Sequence, residues 1–266
     1  MIIKSFHYIN EMNWKRVFTA ITLIPTVIGT VLYANKEMAF VILSLITFLA
    51  LQEFFKLGEN FHAYENWTMF CSFLIINDRY INNNHIPEIF CLFIFGTLFL
   101  ALFDDNRIFD SIGFSFSSLL SISYPLSYML LLHKHEPKLL LFSLSVTSAS
   151  DMSAYIIGKS FGKTPLARYI SPNKTWEGAF GGLLGSLIVG CIFDFILNIS
   201  LFHLLVMALF GNILGQLGDL VESNYKRAAN VKDSGTLLPG HGGCLDRIDS
   251  HIFCIPFIWY YHLYVL

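Results

Sequence analysis

The stretch that decides the fold is LFHLLVMALFGNILGQLGDLV, Leu201 to Val221, which runs as a helix-length apolar segment straight into the charged sequence that follows it. About twenty residues of this kind cross the roughly 30 Å hydrocarbon layer as a helix, because lipid offers no partner for unpaired backbone N–H and C=O groups. Reading outward, further apolar runs occur at Val17–Ala34, Met38–Phe55, Pro87–Phe103, Phe109–Leu132, Leu139–Ile157, Trp176–Leu197 and Ser250–Leu266. A weaker one, Asn66–Ile81, has an apolar centre but carries Asn77, Asp78 and Arg79.

The 266 residues are 55% hydrophobic and 14% charged, with a mean hydropathy of +0.58. A soluble domain of this size does not hide such a balance from water, so the fold class expected is an all-α integral membrane protein. The net charge of −2 gives no basic field for nucleic acid, and anionic partners have to be met by local Lys and Arg clusters. Five scattered cysteines without a C-x-x-C pair read as small core residues. Lys15 and Arg16 precede a long apolar run with no small-residue cleavage site, so that run is expected to stay. Lys159, Lys163, Arg168 and Lys174 occupy one loop, and Lys226, Arg227, Lys232 and Arg247 another. Two spans separate these loops, which puts both on one side, and the excess of positive charge makes it the cytoplasmic one. With Lys15 and Arg16 also inside, parity requires the weak segment to cross. About nine spans follow, with the N-terminus cytoplasmic, the C-terminus outside and a polar active site at the cytoplasmic face. We divide the chain into N-terminal helices, residues 1–150, and a C-terminal catalytic region, residues 151–266.

From Gly215 the sequence reads GQLGDLVESNYKRAANVKDSGTLLPGHGGCLDRIDS. Ionisable groups at this density beside a span call for a function. Helical spacing places Asp219, Glu222, Ser223, Lys226 and Arg227 on one stripe, with the carboxylate deeper than the cations. Pro239, Gly240, Gly242 and Gly243 around His241 favour a tight turn whose amides can approach a phosphate. Asp246 and Asp249 share a face of the next helix. Hard oxygen donors beside a glycine turn, ringed by Lys and Arg, suit Mg²⁺-dependent phosphoryl or nucleotidyl transfer. The plain alternative is a charged loop that only fixes topology. Five carboxylates, four cations and a histidine between Asp219 and Asp249 exceed what anchoring needs.

A second polar cluster, DMSAYIIGKSFGKTPLARYISPNKTWEGAFGG, spans Asp151 to Gly182. Its GKSFGKT is one residue short of a P-loop and lacks a βαβ setting. Lys163, Ser171, Lys174 and Thr175 remain candidate phosphate donors. Trp176 by itself reads as an interfacial anchor, Asp151 as either a functional or a hydrogen-bonded span residue, and Glu53 is undecided. The Gly181-x-x-x-Gly185 and Gly211-x-x-x-Gly215 spacings suit close helix contact.

The string S-x-Y-K-R-x-x-x-x-K-D-S-G-x-x-L-P-G-H-G-G-x-x-D-R-I-D, Ser223 to Asp249, resembles the signature of the phosphatidate cytidylyltransferases, or CDP-diacylglycerol synthases. SPNKTWEG at Ser171–Gly178, Gly218-Asp219-Leu220 with Glu222, and the opening WKRVFTAITLIP resemble the same family. Tyr225 and Cys244 depart from it, where the family usually carries aliphatic residues, and both read as packing positions.

The resemblance implies transfer from CTP to phosphatidate, giving CDP-diacylglycerol and pyrophosphate, with Mg²⁺ as cofactor. It implies Asp219 and Asp246 as metal ligands, with Asp249 a third, and Lys226, Arg227, Lys232 and Arg247 as phosphate holders. Ser223 and His241 would hydrogen-bond nucleotide or lipid phosphate, and Ser171, Lys174 and Thr175 would belong to the substrate pocket. Partners expected are CTP, phosphatidate and membrane lipids, not nucleic acid; a homodimer is compatible with the pattern. A bacterial inner membrane is the expected location. Rival readings are a polyprenol kinase, a cytidylyltransferase for another lipid phosphate, or a transporter using Asp151 and Asp219 as ion sites. A CDP-alcohol phosphotransferase lacks support because D-G-x-x-A-R is missing.

Overall fold

The computed structural model describes residues 21–22, 24–58, 64–103, 108–237 and 242–266. The WKRVFTAITLIP opening lies largely outside them, and His241 lies outside them entirely. The described chain is a helical bundle: α1 Ile24–Tyr33, α2 Lys36–Leu57, α3 Glu65–Ile81, α4 Ile86–Ala101, α5 Ile108–Ser118, α6 Tyr124–His135 and α7 Pro137–Phe161. An antiparallel hairpin, β1 Pro165–Ala167 and β2 Ser171–Thr175, precedes α8 Trp176–Phe193, α9 Leu201–Ala228, α10 Leu245–Ile248 and α11 His251–Val265. The hairpin, which hydropathy did not foretell, is the one sheet among the described residues.

Five described helices are long and apolar enough to cross a membrane: α2, the joined α5–α6 segment Ile108–His135, α7, α8 and α9. The chain is thus an all-α membrane protein. A π-helical turn, Leu119–Ser123, joins α5 to α6. The weak segment forms one continuous helix, α3, with Asp78 buried and its Oδ1 accepting the His85 N–H at 2.9 Å. Helix α9 continues seven residues beyond Val221, so the charged stripe stands on the span's own extension. The expected boundary at 150/151 falls inside α7, whose first half packs with α6, α9 and α11 in one core that includes Phe142, Val146, Leu204, Met207 and Ile255.

Lipid tails are as apolar as leucine, so these helices are held by close contact and interhelical hydrogen bonds. The glycines of α8 provide the contact. A Cβ on Gly182 would stand 2.8 Å from Ser150 Oγ and 3.1 Å from the Ser150 carbonyl, and one on Gly181 2.6 Å from Ile157. On α9, Gly215 lies under the Ser250 carbonyl. The expected small-residue seams are therefore real. Between α7, α8 and α9 runs a polar ladder: Asn212 Nδ2 donates to Ser150 Oγ at 2.6 Å and Ser186 Oγ at 3.1 Å, and Gln216 Nε2 donates to the Ala179 carbonyl at 3.1 Å. Each such bond contributes about 0.6 kcal/mol in a membrane, and their convergence fixes the register of α9 below Asp219.

Candidate functional site

Four pieces of chain meet at one end of the bundle: the last turns of α9, the loop leading into α10, the β1–β2 hairpin and the last turns of α2. Lys174, on β2, ion-pairs with Asp219 of α9. Arg227 Nε donates to the Ile170 carbonyl at 3.1 Å, and its Nη1 donates to the Val231 carbonyl at 2.8 Å. The loop between α7 and α8 and the signature after α9 thus share one site, as the charge pattern led us to expect.

The stripe on α9 is narrower than the spacing suggested. Glu222, Ser223 and Lys226 are buried, whereas Arg227 is exposed and braces the hairpin and the helix end through backbone carbonyls. Lys226 lies between two carboxylates: it ion-pairs with Glu222, and its Nζ donates to Asp246 Oδ1 at 2.6 Å. Glu222 accepts no aligned hydrogen bond, so its interaction with Lys226 is one of charge. Ser223 Oγ donates to Asp219 Oδ1 at 3.4 Å.

Asp246 organises the loop as well as facing the lysine. Its Oδ2 accepts the backbone N–H groups of Gly243 at 2.8 Å and Ser234 at 3.0 Å. Burial works to raise its pKa, but Lys226 and the two amides outweigh it and hold the carboxyl below its ordinary range. Gly242 stands at φ +82°, and a Cβ there would come within 2.5 Å of Asp246 Oδ2, so glycine is needed for both backbone and space. Asp249 lies close behind. Burial first, then the negative charges of Asp219, Glu222 and Asp151, push its carboxyl well above the usual range.

Glu53 completes the site, and its motif-free sequence setting gave little hint of it. The residue is 7% exposed, and its carboxylate accepts three hydrogen bonds at 2.9 Å, from Ser234 Oγ and from the N–H groups of Cys244 and Leu245. Gly235 and Gly243 press against it with no room for a side chain. An acid near the end of an apolar helix, with a glycine- and serine-rich loop elsewhere, is the only signal the sequence offered. Asn212 and Gln216 also went unread, though they continue the Asp219 face of α9 at helical spacing.

Among the other expected residues, Thr175 uses its hydroxyl to cap α8, accepting from Gly178 N at 3.1 Å. Ser171 is half-buried on β2, while Lys163, Lys232 and Arg247 are exposed. Asp151 Oδ2 accepts from Ser250 Oγ at 3.4 Å. Tyr225 and Cys244 do pack, both on α2: the Tyr225 ring meets Phe54 edge to face at 5.1 Å, and Cys244 Sγ lies 3.8 Å from the Ile46 carbonyl.

The donor chemistry for a metal is all hard oxygen, and it fits a Mg²⁺-like cation. Among the described residues no three such side chains already form a coordinating group. Asp219 and Asp246 are each held by a lysine instead.

Residues 14–265 match the sequence profile of the cytidylyltransferase family. The chain belongs to this family. It is 40% identical over 167 residues to a phosphatidate cytidylyltransferase of Bacillus subtilis, covering 61% of this chain and 62% of the relative. To the enzyme of that name from Staphylococcus saprophyticus it is 47% identical over 147 residues, 53% of this chain and 56% of the relative. To that of Haemophilus influenzae it is 39% identical over 164 residues, 58% and 57%. The matched stretches thus span between about half and three fifths of the lengths of these curated relatives.

Proposed function

We propose that this protein transfers the cytidylyl group of CTP to phosphatidate, forming CDP-diacylglycerol and releasing pyrophosphate. The observation that carries the reading is the Lys226 knot. A buried lysine joins a span residue, Glu222, to the loop aspartate Asp246, beside a second lysine–aspartate pair from the hairpin, Lys174 and Asp219. Alternating positive and negative groups of this kind can align two polyanions and neutralise them. A phosphate oxygen of the lipid attacks the α-phosphorus of CTP, the new P–O bond forms, and the bond to the β-phosphate bridge oxygen breaks. An ionised phosphate monoester is already nucleophilic, so no general base is required, and His241 is given no such role.

Asp219, Asp246 and Asp249 would hold Mg²⁺, which supplies charge neutralisation on the triphosphate when bound. Lys174, Lys226, Lys232, Arg227 and Arg247 would meet phosphates, with Ser171, Thr175, Ser223 and His241 lining the substrates. For Arg227 and Thr175 this means sharing groups that already brace the hairpin and cap α8. CTP is soluble and phosphatidate is a lipid anion, so a site at the membrane surface, open sideways to lipid, would serve both. The positive loops favour the cytoplasmic side. The shorter apolar helices α1 and α4, taken with α3 and α11, bring the count to nine, and the parity of the basic loops then keeps the N-terminus inside. A bacterial inner membrane fits the bacterial relatives.

The purified protein, given CTP labelled at the α-phosphate, phosphatidate and Mg²⁺, should place label in the lipid fraction and release pyrophosphate. Asp246→Asn should insert normally but lose most of that turnover. Label remaining in the aqueous phase with wild-type protein would overturn the function. Near-normal turnover in the variant would overturn the role of Asp246.

A further inference from the structure

The end of the bundle opposite Asp219 and Asp246 holds a polar cavity of about 380 Å³, lined by Arg79, Asn82, Asn84, His135, Trp259 and Tyr260 among others. Arg79 sits in the last turn of α3, with its guanidinium 4.9 Å from the centroid of the Tyr128 ring and 6.0 Å from that of Tyr124. Those rings are fixed by their hydroxyls, since Tyr128 Oη donates to Tyr124 Oη at 2.6 Å and lies 2.6 Å from Tyr260 Oη. Among the described residues the guanidinium has no carboxylate partner, and its Nε is buried without a hydrogen bond. The neighbouring acid, Asp78, is engaged by the His85 N–H.

Lys134 does not fill the gap. Its Nζ donates to the carbonyls of Arg79 and Tyr80 and to Asn82 Oδ1 at 2.9–3.1 Å, which ties down the end of α3. Two positive charges therefore sit beside the cavity, and among the described residues the Arg79 guanidinium donates no hydrogen bond to a protein acceptor. A cation at the end of a membrane-spanning bundle without a counter-charge is costly unless a ligand supplies one. Stacking on tyrosine leaves the edge of the guanidinium open, and that planar fork matches phosphate oxygens two at a time.

We infer that this cavity is a binding site for a phosphate group, separate from the carboxylate site and independent of the transferase reading. The amides of Asn82 and Asn84 and the Tyr260 hydroxyl supply further polar contacts. Leu131 and Leu263 also line the cavity, and with Trp259 they give it an apolar side suited to the glycerol and first acyl carbons of an acidic phospholipid.

The test uses delipidated full-length protein in detergent, with Trp14, Trp67 and Trp176 replaced by Phe so that Trp259 reports alone. Phosphatidylglycerol should shift Trp259 emission on titration, and diacylglycerol, which has the same chains without the phosphate, should not. Inorganic phosphate is run in parallel: a saturable response to it alone would make the occupant a free anion, and a response to the phospholipid alone a headgroup. Either supports the site. Arg79→Gln should weaken binding about tenfold or more, the scale of one or two charge-assisted hydrogen bonds. Arg79→Lys should fall between, and CTP-dependent pyrophosphate release should be unchanged in both. Equal titrations for Arg79→Gln and wild type, or equal responses to phosphatidylglycerol and diacylglycerol with none to phosphate, would overturn the proposal.

Discussion

Glu53 and Leu245, 192 residues apart in the chain, are joined by a hydrogen bond of 2.9 Å from the Leu245 N–H to Glu53 Oε2. With the bonds from Cys244 N and Ser234 Oγ, it fastens both ends of the signature loop to α2. The loop in turn presents Asp246 to Lys226. Glu53 is thus a positioning residue that acts on the site through the loop it holds.

Glu53→Gln keeps the shape of the side chain but turns one acceptor oxygen into a donor, facing groups that are themselves donors. The mismatch should cost about 1–3 kcal/mol. Pyrophosphate release should fall by much more than the loss of folded protein accounts for. Thermal melts in detergent, run beside kcat and KM for CTP, check this. A kcat equal to wild type would remove Glu53 from the site.

Cys244 offers an independent view of the same contact. Burial, and then the Glu53 charge, push its thiol up to about 11. At pH 8 only about one thiol in a thousand is then the reactive thiolate. With the other four cysteines replaced, maleimide should label Cys244 slowly, faster as pH rises toward 11, and faster at pH 8 in Glu53→Gln. Timed labelling read by mass spectrometry decides it.

Lys226→Met leaves Glu222 and Asp246 buried without their cation, and removing one partner of a buried pair costs about 3–5 kcal/mol. Adding Glu222→Gln and Asp246→Asn to Lys226→Met should recover most of the stability, because no uncompensated charge remains. It should recover none of the turnover. Melting temperature and CTP-dependent activity measured on both variants separate the two roles.

Gly218 and Gly113 give opposite outcomes for the same substitution. A Cβ at Gly218 would strike the Asp249 backbone carbonyl, which cannot move without shifting α10. Gly218→Ala should therefore cost about 1–3 kcal/mol and most of the activity. Gly113 on α5 has nothing within 4 Å, so Gly113→Ala should be neutral or stabilise by about 0.5–1 kcal/mol through helix propensity. Melts of the two variants in one detergent provide the comparison.

The sequence by itself determined that this is a helical membrane protein, and it marked the two polar stretches that meet in the candidate site. Apolar runs such as Leu201–Val221 have one stable state in lipid, and a helix fixes which side chains share a face, so Asp219, Glu222, Ser223 and Lys226 were legible as one stripe. Local periodicity does not say where a helix ends or what it packs against. That is why Arg227 was placed on the stripe although it turns away to the carbonyls of Ile170 in the hairpin and Val231 after α9. The hairpin itself was missed because its few residues carry no apolar period. Only the tertiary structure decided that Lys174 meets Asp219, that Lys226 links Glu222 to Asp246, and that Glu53 holds the loop. Each of these contacts joins residues from separate elements, and its partners are set by how glycine seams and buried polar ladders bring the helices together, which no single segment encodes.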